Sequence, residues 1–153
     1  MFYLAVLLLG ITAGLRAGTP LAALSCGAYL GWINLSGTWA GFLGNIIVVI
    51  ILGLVAIVEL VTDQLPNTPS RKVPQQFGAR IVSGGLVGLV AGLPSGNWIA
   101  GLVLGALGAV LGTLGGAQAR QRLAAAFGRD LPAALVEDVI AIVVAFAAVH
   151  ALG

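Results

Sequence analysis

Two acids four residues apart, Glu59 and Asp63, and an adjacent pair, Glu137 and Asp138, stand in sequence that is otherwise apolar. A carboxylate near the centre of a bilayer costs at least about 2.5 kcal/mol, so such a group faces a partner or a water-filled cavity. On a helix Glu59 and Asp63 share one face, whereas Glu137 and Asp138 point to different faces. Carboxylates placed this way can accept a proton, ligate a cation or pair with arginine. Arg16 and Arg80 are the bases available to neutralise Glu59 as a structural ion pair.

A second kind of candidate is the interrupted apolar run. Gly18, Thr19 and Pro20 break one such run, and Pro94, Ser95, Gly96 and Asn97 break another. Glycine and proline interruptions free backbone groups and expose helix N-termini toward a solute.

The elements that must carry these residues follow from composition. The chain has 153 residues, 59% hydrophobic and 8% charged, with 23 glycines, a mean hydropathy of +1.10 and a pI near 9.2. A soluble domain usually carries about 25% charged residues, and disorder needs low hydrophobicity with high net charge. The apolar runs are continuous, unlike the alternating segments of a transmembrane β-barrel. The expected fold class is therefore an all-α membrane protein. A span needs about 20 apolar residues, which leaves room for about six spans and no soluble domain. Seven bases scattered among apolar runs make no nucleic-acid face. The single Cys26 excludes an intramolecular disulfide. Met1-Phe2-Tyr3 lacks a basic n-region, so Met1 to Leu15 is expected to be a retained span.

Breaks at 16–20, 34–40, 64–76, 94–97 and 117–130 leave six apolar segments, near 2–15, 20–33, 41–63, 80–93, 98–116 and 131–151. Pro66, Pro69 and Pro74 stop any helix in the third break. Arg16 lies in the first connection, Arg71, Lys72 and Arg80 in or beside the third, and Arg120, Arg122 and Arg129 in the fifth. With six full spans every base falls on one side, which the positive-inside rule makes cytoplasmic.

Shifting the sequence by 78 positions aligns residues 10–28 with 88–106 at nine identities in 19 and places Val58-Glu59 on Val136-Glu137. Three segments per copy is an odd number, so the second copy enters the membrane inverted. Repeat A covers about 1–66 and repeat B about 79–153 of a single membrane domain, joined by a proline-rich cytoplasmic linker at about 64–78. Because the segments at 2–15 and 80–93 are short, a second architecture stays open: re-entrant hairpins whose loops meet at mid-membrane. Glycines every four residues, as at Gly84-Gly88-Gly92 and Gly108-Gly112-Gly116, allow close helix packing.

Three stretches read together: GLRAGTP, VELVTDQLPNTPSRKVPQQFGARIVSG, and GTLGGAQARQRLAAAFGRDLPAALVEDVIAI. They resemble the bacterial family of small membrane proteins filed as domain of unknown function 4126, over nearly the whole chain. The Glu59, Asp63, Pro66, Pro69, Arg71 and Gln76-to-Arg80 pattern is the most specific part. The resemblance implies a bacterial inner-membrane protein and supplies no activity.

The residues themselves lead to a small transporter or channel for a small solute or cation. Glu59, Asp63, Glu137, Asp138, Arg16 and Arg80 line its path, and the two loops contact the solute. No catalytic constellation, cofactor or metal site is expected, and the partners expected are the lipid bilayer and a second copy. The alternative is a non-transporting membrane scaffold that organises lipid or partner proteins through glycine-mediated packing.

Overall fold

The structure is a computed structural model and describes residues 1–64 and 73–153. Among the described residues it is all helical, with no strand. Six α-helices run α1 (Phe2–Leu15), α2 (Gly18–Tyr29), α3 (Ile46–Thr62), α4 (Pro74–Gly92), α5 (Trp98–Phe127) and α6 (Asp130–Leu152), with a 3-10 turn at Trp39–Gly44. Pro66, Pro69, Arg71 and Lys72 of the expected linker lie outside the described residues.

Local chemistry sets most of the boundaries. α1 ends where Arg16 turns extended, at φ −145° and ψ 112°. Pro20 falls in the first turn of α2, where a missing N–H costs nothing. The Asn45 side chain accepts from the Ile47 N–H at 2.8 Å and caps α3. Pro74 opens α4 with a φ already suited to a helix. Gly128, at φ +71°, closes α5 in the left-handed conformation that glycine adopts without strain.

α5 differs from its sequence expectation. The polar stretch from Ala117 reads as a break, yet the helix continues to Phe127, for 30 residues in all. At 1.5 Å per residue that is about 45 Å, against about 18 Å for the 12 residues of α2. α5 and α6 are the two described helices long and apolar enough to cross a membrane; α1 and α3 are shorter apolar helices.

The centre is a glycine-packed trio of α1, α4 and α5. A Cβ built on Gly108 would lie 2.9 Å from the Gly10 Cα, and one on Gly105 would lie 3.2 Å from the Gly88 Cα. Only glycine lets these backbones meet so closely. Gly84 opposes Gly105 while Gly88 opposes Gly101, so α4 and α5 are antiparallel; Gly10 opposes Gly105 and Gly14 opposes Ala109 and Gly112, so α1 follows the direction of α5.

Successive helices alternate in direction. The turns after α1 and α5, the end of α3 and the start of α4 gather at one end, tied by side chains of Arg16, Asp63, Arg80 and Arg120. Phe2, Gly31 to Asn34, Pro94, Ser95 and the chain end at Leu152 and Gly153 gather at the other, around a cleft of about 370 Å³. The outside of α3, α5 and α6 is apolar, with Ile50, Leu54, Val58, Leu107, Leu111, Val139 and Val143 each more than half exposed.

Candidate functional site: a buried arginine–carboxylate network

Arg16 is the largest fully buried side chain among the described residues. A guanidinium taken out of water needs carboxylates and further hydrogen bonds to offset its desolvation. It finds them on three elements. Its Nε donates to Asp138 Oδ1 of α6 at 2.7 Å, and its Nη2 pairs with the same oxygen. Its Nη1 donates to Asp63 Oδ2, just past α3, at 2.8 Å and to the Leu15 carbonyl at 3.0 Å. Glu137 Oε2 lies 3.9 Å from Nη2.

Two more arginines complete the network. Arg80, also buried, donates from Nη1 to the Gly14 carbonyl at 2.9 Å and brings Nη2 within 3.5 Å of Asp63 Oδ2. It thereby bolts the second turn of α4 to the end of α1. Arg120 holds Asp130 with two hydrogen bonds of 3.0 and 2.7 Å, and its Nη1 lies 3.5 Å from Glu137 Oε2. Gln64 Nε2 donates to Asp138 Oδ2 at 3.1 Å.

Glu59 has a different partner from the one expected. It meets no arginine in the described contacts. Its two oxygens accept the backbone N–H groups of Ala17 at 2.8 Å and Gly18 at 2.6 Å, which open α2. A carboxylate there satisfies donors that have no intrahelical partner and complements the positive end of the helix dipole. A Cβ on Gly18 would approach Glu59 Oε2 to 2.8 Å, so the absence of a side chain admits the carboxylate. Ser83 Oγ donates to the Ala17 carbonyl at 2.5 Å from the α4 side.

All five acids of the chain (Glu59, Asp63, Asp130, Glu137 and Asp138) therefore stand at one end of the bundle with Arg16, Arg80 and Arg120. Adjacent Glu137 and Asp138, expected on different faces, both reach Arg16 because its guanidinium spans the gap between them. The interrupted runs are arranged otherwise. Gly18, Thr19 and Pro20 form the first turn of α2 rather than a loop, and Thr19 and Pro20 are buried. Pro94, Ser95, Gly96 and Asn97 are an exposed turn at the opposite end. The two runs stand at opposite ends of the bundle and do not meet. The clefts of about 350 and 370 Å³ also sit at that opposite end, sharing Gly31, Ile33 and Asn34.

Arg120 and Gln64 are members of the network that charge in apolar sequence does not reveal. The sequence from Ala117 to Phe127 holds no proline or glycine and several strong helix formers, and that signal extends α5 far enough to bring Arg120 to Glu137. Chemically, the carboxylates can hold or release protons or cations against fixed guanidinium charge. The described residues contain no group of three or more His, Cys, Asp or Glu side chains arranged to hold a metal.

Residues 3–151 match the family described as Domain of unknown function (DUF4126). No curated protein and no solved structure matches the chain. With the match running from the second residue of α1 to the last turn of α6, the chain belongs to the DUF4126 family.

Proposed function

We propose that this protein is a small transporter or channel of the bacterial inner membrane, moving a small solute or cation, with the arginine–carboxylate network as the site that couples movement to charge. The observation that carries the reading is the burial of Arg16, Glu137 and Asp138 in an otherwise apolar helix bundle, with the other acids of the chain gathered at the same end. Ionised groups at such positions are expensive and typically mark ion pathways or proton relays. Carboxylate oxygens are hard ligands, which suits a proton or cation better than an anion.

In this reading six antiparallel segments cross or enter the bilayer as two inverted three-helix repeats, with the first, third and fifth connections cytoplasmic and Trp39 and Trp98 at the opposite interface. The apolar exteriors of α3, α5 and α6 support contact with lipid, and the alternating helix directions support the inverted arrangement. Two copies associate through apolar and glycine-bearing faces, since a chain this short encloses little space alone. It is not an enzyme.

A second reading draws on a specific observation: two described clefts open away from the network, and the acids are already engaged by arginines and backbone donors. In that case the network is structural and the protein is a non-transporting scaffold. Purified protein in liposomes, assayed for uptake of protons, sodium, potassium and small polar solutes, separates the two. A transporter gives uptake above that of empty liposomes, and Glu59→Gln and Glu137→Gln abolish it while the protein stays folded. Uptake equal to empty liposomes for the whole panel, with variants that alter stability alone, is the scaffold result.

A further inference from the structure

α3 is held to the rest of the protein in an unusual way. Of its 17 residues only Ala56 is buried, while Ile47, Ile50, Ile51, Leu54, Val55, Ile57, Val58 and Val61 face outward. Its main neighbours are α2 and the 3-10 turn. In a bilayer such a surface gains little from packing, because lipid tails are as apolar as the helix they would replace.

Val48 and Leu52 pack against the core toward the start of α3, and a set of polar contacts ties its C-terminal end. Glu59 clasps the N–H groups of Ala17 and Gly18, and Asp63 reaches Arg16 and Arg80. The Asp63 carbonyl accepts from Arg120 Nη2 at 3.5 Å, and Gln64 reaches Asp138. The other end of α3 begins at Asn45, an extended residue directly after the 3-10 turn, where a change in backbone torsion would redirect the helix.

We infer that α3 is a hinged strap, pivoting near Asn45 and latched by the Glu59 and Asp63 carboxylates, which swings from the bundle when those carboxylates lose their charge. A protonated carboxyl keeps an acceptor but cannot hold two backbone donors and a guanidinium as the anion does. Among the described residues the charged groups facing the latch are Arg16 from the α1–α2 turn, Arg80 from α4, Arg120 from α5, and Glu137 and Asp138 from α6. Release of the strap uncovers Arg16 and Asp138 at the charged end. The inference rests on the membrane placement above and not on any transported solute.

The test is a spin-label distance measurement on the full chain in liposomes, in a Cys26→Ser background. The pair Val58→Cys and Val139→Cys reports α3 against α6, and Leu111→Cys with Val143→Cys reports α5 against α6; all four sites are exposed. With the strap latched, both distance distributions are narrow. Glu59→Gln with Asp63→Asn, and separately stepwise acidification of the labelled protein, lengthen and broaden the first distance by about one helical turn, roughly 5 Å. The second distance stays fixed. An unchanged first distance under both treatments overturns the strap. Equal changes in both pairs also overturn it, because the network then holds the whole bundle rather than α3. If the double variant does not fold, the acid series decides. Failure of the protein to enter liposomes overturns the membrane placement and the strap with it.

Discussion

Replacing Arg16 with methionine removes the centre of the network while keeping much of the side-chain volume. Asp138 loses its two guanidinium contacts and retains Gln64, at 3.1 Å, and Asp63 retains Arg80, at 3.5 Å. Removing one partner of a buried ion pair typically costs about 3–5 kcal/mol, because the remaining charge is stranded. Arg16 is fully buried and Asp138 nearly so, which places this site in that class. At about 2–4 °C per kcal/mol for a chain of this size, the midpoint of thermal unfolding falls by on the order of 10 °C. The assay is unfolding followed by circular dichroism in a fixed detergent or lipid, for Arg16→Met, Asp138→Asn and the double variant. Neutralising Asp138 as well removes the stranded charge, so the double variant is more stable than the sum of the single losses by at least about 1 kcal/mol. A loss below about 1 kcal/mol for Arg16→Met, or strict additivity in the cycle, would refute the reasoning and assign Arg16 to water-accessible surroundings.

Other perturbations probe separate parts of the account. Gly88→Ala sets a methyl against the Gly101 backbone and lowers stability by about 1–3 kcal/mol, whereas Gly115→Ala, which meets nothing within 4 Å, is neutral or stabilising in the same unfolding assay. Glu59→Ala leaves the Ala17 and Gly18 N–H groups without their acceptor and costs about 0.5–2 kcal/mol, the range for loss of a helix cap. Exposed Asn97 and Ala126 stand at opposite ends of α5, so Asn97→Cys and Ala126→Cys in a Cys26→Ser background are labelled by an impermeant thiol reagent from opposite sides of the membrane. Labelling of both from the same side removes the crossing of the membrane by α5.

The candidate residues were legible because charge is rare in this chain. Glu59, Asp63, Glu137, Asp138, Arg16 and Arg80 stand out against apolar sequence, and the structure brings Arg16, Arg80, Asp63, Glu137 and Asp138 into mutual contact. Their pairing was not legible, since it depends on distance in space. Arg16 sits 122 residues from Asp138 in sequence, and no local pattern connects them. The partners of Glu59 are hidden for a second reason: they are backbone N–H groups, which every residue but proline carries and which leave no mark in composition. The break assigned to 117–130 shows polarity mistaken for interruption, because Gln118, Arg120 and Gln121 are good helix formers and the true stop is Gly128. Helix directions, by contrast, follow from short connections at Arg16-Ala17 and Gly128-Arg129, which leave little alternative to antiparallel neighbours.

The most direct test of the central claim is ion flux into liposomes containing the unmodified protein, compared with Asp138→Asn at matched amounts of folded protein. The account predicts uptake of a proton or cation by the unmodified protein and a fall to the level of empty liposomes in the variant, because the buried carboxylate facing Arg16 is gone. Equal uptake by both proteins would contradict it and leave the arginine–carboxylate network a structural tie.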